Sequence, residues 1–351
     1  MTCDPRRGTI TGMAGETMSA EMAQQPERLG ALIAGCDAAA ERIGRLVPRE
    51  LAGTVVVARG SSDHAGVYGR YLIELASGRP AGLAAPSLHT LYDARVDHGG
   101  YLAVAVSQSG HTPEIVTTLE RMQATGAAGL AITNDAGSPL AGAAHATLAL
   151  EAGPERAVPA TKTVTATLTA FAMVAAALGP APFEREQLDR VPAWVAEVLD
   201  DPEPADRVAA ALADATRLVT VGRGLLFGAA LEAALKLKET SMTSAEGFSA
   251  ADLRHGPIAV VEHGFPVLAF VAPGPAHSDM VALVDDLRER GAQVHVVAAD
   301  AGADLPLPGD VPEALAPILA VVRAQQLALA LARRRGLDPD QPAGLSKVTS
   351  T

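Results

Sequence analysis

The chain has 351 residues and a formal net charge of −12, and aromatic residues make up only 3% of it. This length accommodates about two domains. The acidic balance argues against a nucleic-acid partner, which usually requires a basic surface. Two cysteines, Cys3 and Cys36, are too few for a disulfide framework or a zinc site. Because we find neither a secretory leader nor an apolar run of about 18 residues, we expect a soluble, cytoplasmic α/β protein without membrane contact.

The N-terminal stretch and the segment after it differ in pattern. Residues 1–19 are rich in Gly and Thr and show no periodicity, so we predict that they are disordered. Leu29, Leu32 and Ile33 then recur at a spacing that places them on one helix face. The first regular element is therefore expected to be an amphipathic helix near residue 30.

One unit is repeated along the first half: a short apolar run, a loop rich in Gly, Ser or Asn, and a helical segment. The apolar runs span residues 54–58, 101–106 and 129–133. After the second run, Thr112 and Pro113 form a favoured helix start, because proline is well tolerated in the first turn behind a capping residue. Strands that alternate with helices in this way predict parallel βαβ units.

The second half repeats the first. A shift of the chain by about 164 positions, a spacing typical of tandem domains, aligns three apolar runs of the first half with three of the second. An acidic, proline-containing stretch at 200–204 has the composition of a linker. We therefore predict an α/β fold of two tandem domains, each a doubly wound, flavodoxin-like parallel sheet flanked by helices. The predicted segments are 20–200 for the first domain, 205–335 for the second, and 336–351 for a C-terminal tail.

A hydroxyl-rich loop, residues 107–112 (SQSGHT), follows the second strand of the first half. It stands before a helix N-terminus, where backbone N–H groups and the helix dipole attract anions. Ser62, in the loop after the first strand, is expected at the same edge of the sheet. These loops predict a phosphate monoester held by hydroxyl groups rather than by a basic patch, although an ordinary capping loop has the same composition. A nucleotide site is disfavoured, because the P-loop lysine and the full dinucleotide motif are missing.

Charged residues recur on one face of a helix in the second half. Glu232, Lys236 and Glu239 are spaced at i, i+4 and i+7, and a polar loop that carries His255 is predicted to follow. A carboxylate close to a lysine and a histidine can act as a general base with a proton shuttle. The alternative is a solvated Glu–Lys surface face.

The tail contains two prolines and a glycine before Lys347. These residues favour an extended course that lays the chain end over a site. A lysine in a tail is more commonly solvated, and tails often fray. From the sequence pattern, both interpretations of Lys347 stay open.

Several motifs in this order resemble the sugar isomerase (SIS) family, in particular the isomerase half of glutamine–fructose-6-phosphate aminotransferase and the SIS-type glucosamine-6-phosphate deaminases. The likeness runs from about residue 20 to the C-terminus. The motifs that carry it are QQPERL (24–29), RGSS (59–62), SQSGHTPE (107–114), PERAVPATKT (154–163), GRG (222–224), ALEAALKLKET (230–240), HGP (255–257) and DPDQPAGLSKVT (338–349).

The resemblance implies roles for individual residues. Glu239 matches the base that moves a proton between C1 and C2 of the sugar, and Lys236 matches its helix neighbour. His255 matches a ring-opening histidine that reaches the neighbouring subunit, which implies a homodimer, and Lys347 matches the lysine that meets the sugar carbonyl. The positions that match those holding the sugar phosphate are Ser62, Ser107, Gln108, Ser109 and Thr112.

The resemblance favours deamination of glucosamine 6-phosphate without a metal or cofactor. We expect no glutamine hydrolysis, because the chain has no room for a glutaminase domain ahead of residue 40 and Cys3 is not an N-terminal nucleophile. His111 replaces a glutamate of the aminotransferase, which leaves the amino sugar undefined. Alternative reactions are a fructosamine-6-phosphate deglycase, an aldose–ketose isomerase and ammonia-dependent glucosamine-6-phosphate synthesis. The non-enzymatic alternative is a sugar-phosphate sensor.

Overall fold

A computed structural model describes residues 14–300 and 302–347. In the first half, short Val- and Ala-rich segments form strands and longer amphipathic segments form helices. The helices are α1 (Glu16–Ala23), α2 (Gln25–Ala34), α3 (Cys36–Leu46), α4 (Ser61–Ser77), α5 (Pro86–Thr90), α6 (Pro113–Ala124), α7 (Pro139–Ala143), α8 (Lys162–Leu178) and α9 (Arg185–Asp200). The strands are β1 (Gly53–Val57), β2 (Ala81–Leu83), β3 (Tyr101–Val106), β4 (Ala128–Thr133) and β5 (Ala146–Ala149).

The second half contains the same kinds of element. Its helices are α10 (Glu203–Ala211), α11 (Phe227–Ser241), α12 (Ala250–Arg254), α13 (His277–Glu289) and α14 (Ala316–Arg334), with 3₁₀ turns at Gly224–Leu226 and Pro257–Val260. Its strands are β6 (Arg217–Gly222), β7 (Ser244–Ser249), β8 (Pro266–Phe270), β9 (Gln293–Ala298) and β10 (Leu305–Pro306). The predicted linker at 200–204 contains the end of α9 and the start of α10.

The two sheets have the same strand order. The first is ordered β2-β1-β3-β4-β5, and the second, taken from its β7 edge, is ordered β7-β6-β8-β9-β10. Every strand pair is parallel. β6 starts 164 residues after β1, and α13 starts 164 residues after α6. β8 and β9 start 165 residues after β3 and β4, so the offset found in the sequence holds to within one residue. The predicted doubly wound α/β fold is confirmed.

Helices α4 and α11, one from each half, pack against each other. Gly228 in α11 permits this approach, because a Cβ there would lie 2.6 Å from the carbonyl oxygen of His64 in α4. The hydrophobic core runs without a break from one half into the other and is built mainly of Ala, Val and Leu. The two halves are thereby held so that the N-terminus of α4 faces the charged side of α11.

The prediction of disorder at the N-terminus is wrong for residues 14–19. Residues from Glu16 onward form α1, and Met18 is completely buried. The backbone N–H groups of Thr17 and Met18 donate to the carboxylate of Asp340, at 2.8 and 2.7 Å. A cap that comes from the other end of the chain leaves no local pattern. Residues 1–13 of the predicted disordered stretch lie outside the described residues.

The prediction of a polar loop after α11 is also wrong in part. Residues Ser244–Ser249 form β7, which pairs with β6 along its whole length. This edge strand includes a glutamate and a glycine and lacks an alternating apolar pattern. Pairing with β6 stabilises it rather than its own β-propensity.

Within residues 14–300 and 302–347, no helix is long and apolar enough to span a membrane.

Candidate active site

A cavity of about 350 Å³ lies between the two halves, at the carboxyl ends of β1 and β3. The loops after these strands form one wall, and α11 and the C-terminal tail contribute to the others. The polar residues that line it are Arg59, Ser61, Ser62, Ser107, Gln108, Ser109, Thr112, Thr163, Thr167, Glu239, Ser346 and Lys347. All five residues proposed to hold a phosphate therefore lie in one cavity together with Glu239 and Lys347.

The hydroxyl loop, residues 107–112, is held by its own hydrogen bonds. The hydroxyl of Ser107 accepts from the backbone N–H of Gly110 at 3.2 Å and lies 3.2 Å from the hydroxyl of Thr112. Gly110 has a φ of 66°, and a Cβ there would lie 2.0 Å from the Ser138 hydroxyl. The backbone consequently turns tightly here, directly before the N-terminus of α6, in a geometry that favours an anion.

A guanidinium group lies beside these hydroxyls. Arg59 lines the cavity and makes two hydrogen bonds to the carboxylate of Glu114, at 2.9 and 3.1 Å. Glu114 is in the first turn of α6. The loop that we predict to bind a phosphate through hydroxyls and a helix end thus also has a guanidinium beside it, which is paired with a carboxylate of α6. The −12 net charge of the chain hides this local feature.

On α11, Lys236 and Glu239 form an ion pair. The Lys236 ammonium lies 2.5 Å from the Glu239 carboxylate and 3.5 Å from that of Glu232. Burial acts to lower the pKa of Lys236, but Glu232 and Glu239 outweigh it and hold the pKa above its usual value. Lys236 is completely buried, whereas Glu239 reaches the cavity. Lys236 thus supports Glu239 from behind and does not itself line the cavity.

Glu232 connects α11 to α4. Its carboxylate accepts from the Ser61 hydroxyl and contacts Nδ1 of His64, both at 2.9 Å. Burial acts to raise the pKa of Glu232, but Lys236, His64 and Ser61 hold it below its usual value. The interpretation of this helix face as solvated is wrong, since Glu232 and Lys236 face the interior between the two halves.

The C-terminal tail closes one side of the cavity through Leu345, Ser346 and Lys347. The Lys347 ammonium lies 2.7 Å from the carboxylate of Glu155, whose side chain is completely buried. The described part of the tail therefore contributes to the cavity wall, and residues 348–351 lie outside the described residues.

Unlike Lys236, which is paired with a cavity residue, the proposed catalytic residue His255 lies away from this cavity. It is exposed at the C-terminal end of α12 and does not line the cavity of its own chain. Across the part of the chain that the structure describes, no group of three or more His, Cys, Asp or Glu residues is arranged to hold a metal ion.

The sequence did not predict a functional role for Arg59, His64 or Glu155, and it did not predict that Glu232 is buried. Arg59 and Glu155 stand inside motifs that carry the family resemblance, RGSS and PERAVPATKT, so those motifs were the available clue. The partners of His64 and Glu155 lie more than a hundred residues away in the chain.

Comparison with known proteins places this chain in one family. The family model of the SIS domain matches residues 54–177 and 211–307. The isomerizing glutamine–fructose-6-phosphate aminotransferase of Methanothermobacter thermautotrophicus is 36% identical over 302 residues, which is 84% of this chain and 51% of that protein. The chain spans about half the length of the curated relatives it matches.

Two solved structures resemble this fold over nearly the whole chain. A protein from Silicibacter pomeroyi DSS-3, provisionally assigned as a phosphosugar isomerase, is 35% identical with a TM-score of 0.81, covering 92% of this chain and 99% of that one. The glucosamine-6-phosphate deaminase of Thermotoga maritima has a TM-score of 0.80, with 96% of this chain and 100% of that one covered. At 23% identity, the second likeness concerns the fold alone. The chain therefore belongs to the SIS domain family, in the group of two-domain chains that includes phosphosugar isomerases.

Proposed function

We propose that this phosphosugar isomerase of the SIS type is a glucosamine-6-phosphate deaminase, which converts glucosamine 6-phosphate and water to fructose 6-phosphate and ammonia. The observation that carries the proposal is the single cavity in which the hydroxyl loop, the Glu239 carboxylate and the Lys347 ammonium meet. The likeness of AEGFSAADLRHGP (245–257) and GLSKVT (344–349) to SIS-type deaminases supports the choice of reaction.

The hydroxyl loop would bind the phosphate group. Ser107, Ser109 and Thr112 offer hydroxyl donors, and the N-terminus of α6 adds backbone donors and its dipole. Arg59 supplies a positive charge, and its pairing with Glu114 keeps the guanidinium at the cavity wall. A dianionic ligand can thus bind locally to a chain whose overall charge is negative.

Glu239 would act as the base. In the open-chain amino sugar, its carboxylate removes the proton from C2, and the electron pair moves to the C1 carbonyl to give an enolamine. A proton then returns at C1, which produces the imine at C2. Water adds to C2, and the C–N bond breaks to release ammonia and fructose 6-phosphate. Lys236 balances the charge of Glu239 from the protein interior.

Lys347 and His255 would complete the site. The Lys347 ammonium stabilises the negative charge that develops on the enolamine. The exposure of His255, outside the cavity of its own chain, supports a homodimer in which this residue opens the sugar ring in the neighbouring subunit. In a symmetric dimer each subunit would give one histidine and receive one.

A substrate panel tests the proposal. The purified chain should release ammonia and fructose 6-phosphate in equal amounts from glucosamine 6-phosphate. A fructosamine 6-phosphate would instead be hydrolysed by a deglycase, and an unaminated ketose phosphate would be converted by an aldose–ketose isomerase. Activity on one of those substrates without ammonia release from glucosamine 6-phosphate would reject the deaminase assignment.

One observation favours a second candidate, synthesis of glucosamine 6-phosphate from fructose 6-phosphate and free ammonia. The M. thermautotrophicus relative, at 36% identity, carries the name of an aminotransferase. The same residues would catalyse the steps in reverse. Initial rates measured in both directions, with and without ammonium chloride, decide between the two directions.

A further inference from the structure

Glu155 is a completely buried carboxylate at the edge of the candidate site. It accepts hydrogen bonds from the backbone N–H groups of Thr161 and Thr163, at 3.0 and 3.1 Å, and from the Thr163 hydroxyl at 2.7 Å. Its charged partner is the Lys347 ammonium, at 2.7 Å. The hydroxyl of Thr161 also donates to this carboxylate, at 3.5 Å, so four hydrogen bonds come from the start of α8 and the residue before it. Among the described residues, the only cation within ion-pair distance of Glu155 comes from the tail.

The charge of Glu155 depends on this tail lysine. Burial alone would raise the pKa of the Glu155 carboxyl, but Lys347, Thr163 and Thr161 together lower it. A buried carboxylate without its cation is strongly disfavoured. The Glu155 carboxylate and the Lys347 ammonium therefore stabilise each other at the edge of the cavity.

The rest of the tail restricts how Lys347 reaches this place. The Asp340 carboxylate accepts from the N-terminus of α1, and the Asp340 carbonyl accepts from the backbone N–H of Val158 at 3.3 Å. Between Asp340 and Lys347 the chain has no helix or strand, and Leu345 is half exposed. The Glu155–Lys347 pair is an ion pair that holds the far end of the described tail against the first half of the chain.

We propose that Glu155 is a positioning residue that docks Lys347, and with it the C-terminal tail, at the wall of the cavity. Glu155 does not line the cavity, so it acts through Lys347 rather than on a substrate. The use of Lys347 at a sugar carbonyl rests on the proposed function, whereas docking of the tail by Glu155 does not.

Trypsin tests the docking directly, because the protease must take the Lys347 side chain into its own pocket to cut after it. The variant is Glu155→Gln, which keeps the shape and removes the charge. Glu151→Gln, at an exposed glutamate of the same segment, is the matched control. Cleavage after Arg95, in an exposed loop, reports on the rest of the fold. Intact-mass spectrometry follows both cuts.

Cleavage after Lys347 should be about tenfold faster in Glu155→Gln than in the wild type, because the undocked population rises. Cleavage after Arg95 should stay unchanged, and Glu151→Gln should match the wild type at both sites. The proposal is overturned if Glu155→Gln and the wild type are cleaved after Lys347 at the same rate. It is also overturned if Glu155→Gln accelerates cleavage after Arg95 by the same factor as cleavage after Lys347. If Glu155→Gln does not fold, Glu155→Asp, which withdraws the carboxylate from Lys347, is held to the same two criteria.

A double-mutant cycle separates positioning from a general structural effect. Glu155→Gln and Lys347→Met should each lower kcat/KM for glucosamine 6-phosphate by a similar factor, and the double variant should lose no more than either. If the loss in kcat/KM of the double variant equals the product of the two single losses, the proposal is overturned. A wild-type chain without deaminase activity would reject the proposed function instead, and the trypsin experiment would still decide the role of Glu155.

Discussion

The ammonium of Lys236 is completely buried and lies 2.5 Å from the carboxylate of Glu239, which reaches the cavity. This relationship places a fixed positive charge directly behind the group that we propose as the base. It also explains why a helix face with a surface-like sequence points inward: Lys236 and Glu232 neutralise each other there.

Removal of this buried cation should destabilise the protein. Lys236→Met leaves two carboxylates without their shared partner, and we expect the free energy of unfolding to fall by about 3–5 kcal/mol. The exposed Lys238 on the same helix provides the control, because Lys238→Met should change stability by no more than about 0.5 kcal/mol. Urea denaturation measures both. Similar stabilities of the two variants would contradict the role given to Lys236.

The hydroxyl loop should determine affinity for the phosphate group. Thr112→Val removes one hydroxyl and should weaken binding of fructose 6-phosphate about tenfold, as expected for a hydrogen bond to a charged group. Thr117→Val, on the same α6 helix but outside the cavity, is the control and should bind like the wild type. Calorimetric titration gives both affinities. Unchanged binding by Thr112→Val would place the phosphate elsewhere.

Gly110 should not tolerate a side chain. Its φ is positive, and a Cβ at this position would lie 2.0 Å from the Ser138 hydroxyl. We therefore expect Gly110→Ala to distort the loop and to lower stability by at least about 1 kcal/mol. Gly142→Ala, where a Cβ meets nothing within 4 Å, should keep or slightly raise stability. Thermal unfolding and fructose 6-phosphate titration of both variants check this. A loop that binds the ligand normally in Gly110→Ala would show that its geometry is not required.

The charge of Glu155 gives a pH dependence with a defined sign. Its pKa is lowered in the folded state from the ordinary 4.5, so its stabilising contribution is present above that value and is lost as pH falls through the lower, folded pKa. The wild type should exceed Glu155→Gln in free energy of unfolding by about 3 kcal/mol at pH 7.

This difference should shrink once the pH is below 4.5. Denaturation series of both proteins at pH 7, 5 and 3.5 measure it. A difference that is constant over this range would mean that the Glu155 charge does not contribute.

The placement of His255 predicts complementation between two inactive variants. His255→Asn and Glu239→Gln should each lose most activity alone. After unfolding and joint refolding at equal amounts, half of the dimers should be mixed, with one intact site each, so about a quarter of the wild-type activity should return. Absence of any recovery, although mixed dimers form, would argue against a histidine shared between subunits.

The fold could be predicted because its determinants are local and repeated. The runs that became β1, β3 and β4 carry β-branched and apolar residues, and the 164-residue offset linked them to the second half. β7 escaped prediction because pairing with β6 stabilises it, not its own composition. α1 escaped because its cap, Asp340, comes from the other end of the chain.

The site was predictable where its residues share a short motif. Ser107, Gln108, Ser109 and Thr112 stand in one loop, and all four line the cavity. The contacts of Glu155 with Lys347 and of Glu232 with His64 join residues 192 and 168 positions apart. Such pairs depend on how the halves pack, and a single sequence gives no spacing rule for them.

In the proposed reaction, Glu239 transfers a proton on an amino-sugar phosphate that the hydroxyl loop binds. The most direct measurement compares the wild type and Glu239→Gln in two assays on the same preparations: release of ammonia from glucosamine 6-phosphate, and binding of fructose 6-phosphate by calorimetry. We predict that Glu239→Gln loses turnover by at least about a hundredfold, as for a general base, while it binds the ligand within about threefold of the wild type. A wild type that releases no ammonia, or a Glu239→Gln variant that turns over normally, would contradict this account.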